Sequence, residues 1–273
     1  MRLPWSGAAL GTAGLAFLTG RGEPKLVAVM GPHNAGKTTL LGLFYQQVGR
    51  SGHFGDARFA GSYSLEGWEA IAHALRWEGN VPRFPPHTSS GGGRIPGLLH
   101  FAMRNGAGVL SDVLLADSPG EWFQRWAIDP AADDAEGACW LVERASAILV
   151  VADCAALAGA ERGQARSDII QLLRRVAAER RDRPVAMAWT KADIEVPSLI
   201  RDAVITAATT VMPDIIMFET SAVPFERDNV STLPGPAVTR LLGWIISPLP
   251  RGFVVPEPRP SGADPFFAIG VAA

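Results

Sequence analysis

The most informative stretch of the sequence is Gly31–Thr38, which reads GPHNAGKT. It follows an apolar run at 26–30 (LVAVM) and precedes a helical pattern at 39–48. Glycines at its first and sixth positions let successive backbone N–H groups turn inward, and the following helix adds the positive end of its dipole. A strand, a glycine loop and a helix in this order predict a loop that holds phosphate groups.

Two side chains in the loop have predicted roles of their own. Lys37 is expected to reach the β- and γ-phosphates of a nucleotide, and the Thr38 hydroxyl to ligate Mg²⁺. The alternative, a glycine-rich turn that simply precedes a helix, is disfavoured because the flanking strand and helix patterns are both present. The remaining loop residues predicted to contact nucleotide are Gly31, Asn34, Ala35, Gly36 and Thr39.

Composition narrows the class of protein. Of 273 residues, 48% are hydrophobic and 19% charged, which is enough apolar material for a large core. The net charge is −2, so nucleic acid is not an implied partner. The two cysteines, Cys139 and Cys154, are most simply buried thiols of a cytoplasmic protein.

The chain divides into three parts by composition. Residues 1–24 form an apolar arm, 25–246 an α/β domain, and 247–273 a proline-rich tail that is expected to be extended or disordered. The arm resembles a weak signal peptide or a membrane helix, but it is short and rich in Gly and Ala. We therefore expect it to pack on the domain or on a partner, with membrane contact as the less favoured alternative.

Strand and helix patterns alternate along the domain, which predicts a mostly parallel sheet covered on both faces. Asn105 and Gly106 separate two strand patterns and favour an antiparallel hairpin there. Helices are expected between the strands, including one long helix at 122–144. The six predicted strands are 26–30, 98–103, 109–116, 147–152, 185–189 and 215–218.

Three short motifs follow strands of this sheet, at the edge where open α/β sheets bind ligands. In Asp117-Ser118-Pro119-Gly120 the carboxylate can hold Mg²⁺ through water, and the Gly120 N–H can reach a γ-phosphate. In TKAD at 190–193 a carboxylate can accept two hydrogen bonds from guanine, and a lysine stem can pack along the base. In ETSA at 219–222 backbone N–H groups could contact the guanine 6-oxo group. Residues predicted for the base are Thr190, Lys191, Asp193, Ser221 and Ala222.

Together, GPHNAGKT, DSPG, TKAD and ETSA resemble, in order and strand placement, the motifs of P-loop GTPases of the Ras-like and translation-factor (TRAFAC) class. The resemblance covers about residues 25–246. It implies a three-layer α/β fold with a six-stranded sheet, and a Mg²⁺-dependent site for GTP and GDP. The HTSS segment at 87–90, far beyond the phosphate loop, and DSPGEWF at 117–123 are also similar to bacterial GTPases encoded beside defence or multiprotein regulatory systems.

The resemblance also implies a switch threonine that contacts Mg²⁺ and the γ-phosphate. Thr88 is the best candidate, with Ser89 and Ser90 as rivals and an ordinary loop residue as the alternative reading. Because Thr88 lies far beyond Thr38, a helical insertion at about 50–85 is expected before it.

Hydrolysis depends on residues where the chain departs from its relatives. Glu121 follows DSPG, where many relatives have a Gln that orients the attacking water. No arginine finger is evident, so slow turnover is expected. Asn34 occupies the position at which some relatives help to hold K⁺, although Asn also tolerates an unusual loop conformation.

Two functions therefore stay open. One is a molecular switch that hydrolyses GTP and regulates a protein partner, with Lys37, Thr88 and Glu121 as catalytic residues and Thr38, Asp117 and Thr88 as Mg²⁺ ligands. The other is a guanine-nucleotide-binding scaffold with negligible hydrolysis.

Overall fold

A computed structural model describes residues 7–20, 22–54, 56–75, 97–227, 230–232 and 234–247. The candidate switch residue Thr88 and the proline-rich segment at 248–273 lie outside these ranges.

The secondary structure alternates strands and helices, as the sequence pattern predicts. The strands are β1 (Lys25–Met30), β2 (His53–Phe54), β3 (Ala57–Gly61), β4 (Gly97–Arg104), β5 (Leu110–Asp117), β6 (Ala147–Asp153), β7 (Val185–Thr190), β8 (Ile216–Glu219), β9 (Phe225–Arg227) and β10 (Val230–Thr232). The helices are α1 (Thr12–Thr19), α2 (Lys37–Ser51), α3 (Leu65–Ala74), α4 (Gly120–Ile128), α5 (Glu136–Arg144), α6 (Cys154–Ala158), α7 (Arg162–Glu179), α8 (Ser198–Val211) and α9 (Pro234–Ile246).

One sheet organises the domain, with the strand order β2-β3-β4-β5-β1-β6-β7-β8. Strands β5, β1, β6, β7 and β8 run parallel, while β4 pairs antiparallel with β5 and with β3. Strands β9 and β10 form a separate two-stranded ribbon. The carboxyl ends of the five parallel strands therefore meet at one edge of the sheet.

The expected α/β fold and its hairpin are confirmed, but the expected six strands are wrong because the described residues form a main sheet of eight. The two further strands, β2 and β3, extend the sheet beyond β4. Their sequences, HF and ARFAG, contain no apolar run because they lie at the sheet margin, where one side of each strand stays exposed. The segment expected to be a helical insertion thus contributes strands as well as α3.

One local prediction needs correction, and the turn of the hairpin can be described. The long helix expected at 122–144 is divided into α4 and α5 by Asp129 and Pro130, followed by a short 3₁₀ turn at Asp133–Ala135. The hairpin between β4 and β5 turns over five residues, 105–109, and the Asn105 side chain accepts a hydrogen bond from the Val109 N–H. Gly108, with φ +82°, takes the left-handed conformation there.

The sheet is buried on both faces by different sets of side chains. Alternate residues of β1 show this directly: Leu26, Ala28 and Met30 enter one core, while Val27 and Val29 enter the other. Buried residues of α4, α5, α7 and α8 belong to the first core, and those of α2, α3 and α9 to the second. Such two-sided burial explains why the central strands are continuous apolar runs.

The apolar arm contributes to the first core. Leu10 exchanges two backbone hydrogen bonds with Leu98 of β4, at 2.9 and 3.2 Å, and its side chain is buried. Leu18 of α1 is also fully buried. Among the residues that the structure describes, no helix is both long enough and apolar enough to cross a bilayer.

Candidate nucleotide-binding site

A cavity of about 700 Å³ opens at the carboxyl edge of the parallel strands. Four segments that follow strands surround it: those after β1, β5, β7 and β8. The residues that line it are His33, Asn34, Ala35, Gly36, Lys37, Thr38, Thr39, Leu40, Leu43, Ser118, Gly120, Thr190, Lys191, Asp193, Ile194, Thr220, Ser221, Ala222 and Val223.

The loop after β1 wraps closely around the end of the sheet. Gly36, with φ +78°, caps α2 in the left-handed conformation, and Asn34 has φ +60°. A Cβ at Gly31 would lie 2.7 Å from the Val151 carbonyl oxygen of β6, so only glycine fits there. These constraints hold the loop in a curve at the N-terminus of α2, the arrangement that suits phosphate groups.

The Lys37 side chain is buried beneath this loop. Its Nζ donates to the carbonyl oxygens of Gly31, at 3.0 Å, and Pro32, at 2.8 Å. Burial lowers the pKa of Lys37 to about 8, and the nearby carboxylates of Asp117 and Glu121 act in the opposite direction. A bound phosphate would stabilise the ammonium further.

Two oxygen-bearing side chains meet beside the loop. The Thr38 hydroxyl donates to the two carboxylate oxygens of Asp117, at 3.0 and 3.3 Å. This contact joins the start of α2 to the end of β5. Hydroxyl and carboxylate oxygens are ligands that suit Mg²⁺, which usually keeps several waters and adds phosphate oxygens. The predicted metal-binding residues Thr38 and Asp117 therefore lie together, and they fit that ion.

The first turn of α4 packs directly on the phosphate loop. A Cβ at Gly120 would lie 2.3 Å from the His33 nitrogen and 2.4 Å from the Pro32 carbonyl carbon. The side chain of Glu121, the next residue, contacts that of His33, with Glu121 Oε1 2.9 Å from His33 Nδ1. Glu121 borders the cavity rather than lining it, and the same holds for Gly31 and Asp117.

On the opposite side, two of the residues predicted for the base, Thr190 and Lys191, bind the phosphate loop. The Thr190 hydroxyl donates to the Ala35 carbonyl oxygen at 2.7 Å. Lys191, with φ +52°, donates through Nζ to the Asn34 carbonyl oxygen at 2.9 Å and to Asp153 at 2.7 Å. Asp153 ends β6 and also caps α6. The loop after β1 is thus tied to β6 and β7 at the same point.

Asp193 and Ser221 meet across the same end of the cavity. The Ser221 hydroxyl donates to Asp193 Oδ1 at 2.6 Å, which links the loop after β7 to the loop after β8. The Ala192 N–H donates to the Thr220 carbonyl oxygen at 3.1 Å and strengthens this link. Ala222 lines the cavity beside them.

Three residues at the site were not predicted to act there. His33 was assigned no role, although it belongs to the loop itself. Asp153 ends β6 as Asp117 ends β5, and that position was the signal available in the sequence. Ser118 lines the cavity, and its hydroxyl is buried without a hydrogen-bond partner in the described part of the chain. Since such groups usually have partners, a bound group or water would complete this one.

These loops on this sheet place the chain among the P-loop GTPases of the TRAFAC class, as its motifs imply. The sequence profile of one family, described as Double-GTPase 2, matches residues 25–245. The chain belongs to the Double-GTPase 2 family, and it is a GTP-binding protein of the GTPase kind. Its likeness to bacterial defence or regulatory GTPases stays a prediction.

Three solved structures of GTPases are similar to this chain in fold, at low sequence identity to it. The signal recognition particle receptor SRb-GTP/SRX complex from Chaetomium thermophilum is 18% identical over 81% of this chain and 98% of that chain, with a TM-score of 0.43. A putative nucleolar GTP-binding protein 1 from Plasmodium falciparum is 11% identical over 81% and 85% of the two chains, with a TM-score of 0.44. Era in complex with MgGDPNP and nucleotides of 16S ribosomal RNA is 16% identical over 85% and 60%, with a TM-score of 0.42. The curated proteins contain no match.

Proposed function

We propose that this protein is a molecular switch that hydrolyses GTP to GDP and phosphate and thereby regulates a protein partner. The observation that carries the proposal is the docking of the Asp117–Gly120 segment on the phosphate loop. Thr38 donates to Asp117, and Gly120 touches the backbone of Pro32 and His33. A segment that leads into α4 and contacts the phosphate loop this closely is positioned to respond to a γ-phosphate.

The residues around Asp193, at the other end of the cavity, favour guanine as the base. Asp193 lines it, and Ser221 orients the carboxylate by donating to Oδ1. A carboxylate can accept hydrogen bonds from both N1–H and the 2-amino group of guanine, and adenine offers no such pair. Lys191 donates to Asn34 and Asp153, and from this position its stem would pack along the base.

The phosphate end supplies the charge that hydrolysis requires. Lys37 and the loop N–H groups would stabilise the charge that develops as water attacks the γ-phosphorus. Thr38 and Asp117 would hold Mg²⁺, which neutralises charge on the β- and γ-phosphates. Thr88 is proposed as a further ligand from the segment that precedes β4. Among the described residues no arginine lines the cavity, so we expect slow intrinsic turnover.

The test is GTP and ATP binding, and GTP turnover, in Mg²⁺ for the wild type and for Glu121→Ala. We expect much tighter binding of GTP than of ATP, and turnover that falls in the variant. Equal affinities would contradict the guanine assignment. Intact GTP binding without turnover in the wild type would favour the alternative, a guanine-nucleotide-binding scaffold.

A K⁺ requirement is a second question at this site. Asn34 has the left-handed conformation that Asn tolerates, and its carbonyl oxygen accepts from Lys191. Turnover measured in equal concentrations of K⁺ and Na⁺ decides between the two readings of Asn34. Faster turnover in K⁺ would support an ion site, and identical rates would leave only the conformational role.

A further inference from the structure

We propose that His33 and Glu121 form a catalytic dyad, in which Glu121 orients the imidazole and His33 binds the attacking water and accepts its proton. The inference rests on the proposed GTP hydrolysis. It assigns the contact with water to a residue of the phosphate loop, and it makes Glu121 a positioning residue.

Position is the first argument. His33 lines the cavity, and its backbone nitrogen touches Gly120, whose N–H is the proposed γ-phosphate contact. Lys37, which is expected to reach the β- and γ-phosphates, donates to the carbonyl oxygen of Pro32 directly before His33. The imidazole thus belongs to the part of the loop that faces the γ-phosphate end of the cavity.

Charge is the second argument. A lone carboxylate at Glu121 would lie close to the negative charge of bound GTP, which makes it an unfavourable group to place beside the water. Its 2.9 Å contact with His33 Nδ1 gives that charge a partner. The side chains are about 40% and 50% exposed, so the pair lies where water can reach it.

The chemistry of the pair follows from the contact. When Nδ1–H donates to Glu121, the neutral imidazole has its acceptor nitrogen at Nε2. A carboxylate that fixes a histidine tautomer in this way leaves the other ring nitrogen to act as a base. The water oxygen would bond to the γ-phosphorus while its proton passes to Nε2. The bond from the γ-phosphorus to the β–γ bridging oxygen would break, its electron pair would remain on GDP, and the imidazolium would release its proton to phosphate or solvent.

The experiment is single-turnover GTP hydrolysis with saturating protein, together with GTP affinity, for His33→Ala, Glu121→Gln and the double variant. For His33→Ala we expect hydrolysis about 100-fold slower than in the wild type, because general bases usually contribute a factor of this size. Its GTP affinity should stay within threefold of wild type. Glu121→Gln should cost about tenfold in rate, and the double variant should be no slower than His33→Ala alone. Added imidazole should restore part of the rate of His33→Ala and should leave the wild-type rate unchanged.

The matched control is Asp134→Asn, which breaks another exposed pair of α4, Arg125 with Asp134 at 3.2 Å, and should leave the rate unchanged. A His33→Ala rate within threefold of wild type would overturn the dyad alone. So would multiplicative costs in the double variant, or a loss of rate that follows a loss of GTP affinity and is not rescued by imidazole. If wild-type protein binds GTP but shows no hydrolysis, both the dyad and the proposed function are overturned.

Discussion

At the scale of single residues, Lys37 is a buried ammonium that a negatively charged ligand would stabilise. Its ammonium donates to two backbone carbonyl oxygens, those of Gly31 and Pro32. Burial nonetheless lowers the pKa of Lys37 to about 8, since these neutral acceptors replace water only in part. Phosphate binding would supply the negative charge that the buried ammonium lacks.

This pKa predicts a pH dependence of nucleotide affinity. Below pH 8 Lys37 is already charged, and GDP binds without proton uptake. Above pH 8 the free protein loses the charge that the complex requires, so affinity should fall by up to about tenfold per pH unit. Calorimetry of GDP binding between pH 7 and 9 measures this change in affinity. Lys37→Met, which should bind GDP more weakly, is the control, because any pH dependence that it retains comes from other groups. A wild-type affinity that stays constant to pH 9 would contradict the role of Lys37.

Asp193 carries the prediction for the base. In Asp193→Asn an amide replaces one carboxylate acceptor with a donor, so the pair of hydrogen bonds to guanine is lost. We expect GTP affinity to fall at least about 100-fold, and xanthosine triphosphate to become the preferred ligand. Competition binding with the two nucleotides checks it. Glu195→Gln removes an exposed carboxylate two residues away and should change neither affinity.

At the scale of elements, the contact between α4 and the phosphate loop joins two parts of the sheet edge. Helix α4 begins at Gly120, with two residues between it and the end of β5, and α2 begins at Lys37, directly after the loop that follows β1. Strands β5 and β1 are neighbours in the sheet, so the two helix N-termini are brought together. The absence of a side chain at Gly120 lets the two backbones touch.

Gly120→Ala tests this contact. The added Cβ would collide with backbone atoms of Pro32 and His33, which cannot rotate away, so α4 must shift from the loop. GTP affinity should fall about tenfold or more, because a hydrogen bond to a charged phosphate is lost, while GDP affinity stays within threefold. Gly163→Ala in α7, where a Cβ meets nothing within 4 Å, is the matched control. Equal losses for GTP and GDP would show that Gly120 does not distinguish the γ-phosphate.

At the scale of the whole molecule, the apolar arm is part of the folded domain. Leu10 and Leu18 are buried in the core that also contains α4 and α5. The backbone hydrogen bonds between Leu10 and Leu98 fix the arm on β4, at the point where β4 emerges from the segment that contains Thr88. Stability of the domain should therefore depend on residues that precede the matched family region.

Leu10→Ala measures this dependence. Because the side chain is 1% exposed, its truncation should lower the free energy of unfolding by about 2–5 kcal/mol, with nucleotide affinity little changed. Urea unfolding followed by circular dichroism gives the value. Leu199→Ala, at a side chain 76% exposed, should change it by less than about 0.5 kcal/mol. A loss at Leu10 as small as that at Leu199 would mean that the arm does not stabilise the domain.

The sequence alone determined the α/β fold, five parallel strands, the β4–β5 hairpin and the class of protein. These depend on local patterns: apolar runs for strands buried on both faces, and short motifs at strand ends. The strands at one margin of the sheet, β2 and β3, were missed because their composition is mixed: β3 depends on pairing with β4, and β2 on pairing with β3. The break between α4 and α5 was missed although Pro130 is a sequence signal for the end of a helix.

Only the tertiary structure decided which residues meet at the site. It brought Thr38 to Asp117, Lys191 to Asp153 and Ser221 to Asp193, pairs that lie far apart in the chain. It also brought His33 to Glu121, a contact that no local pattern indicates. The reason is geometric: the order of strands in the sheet determines which loops are neighbours, and that order depends on pairing over long sequence distances.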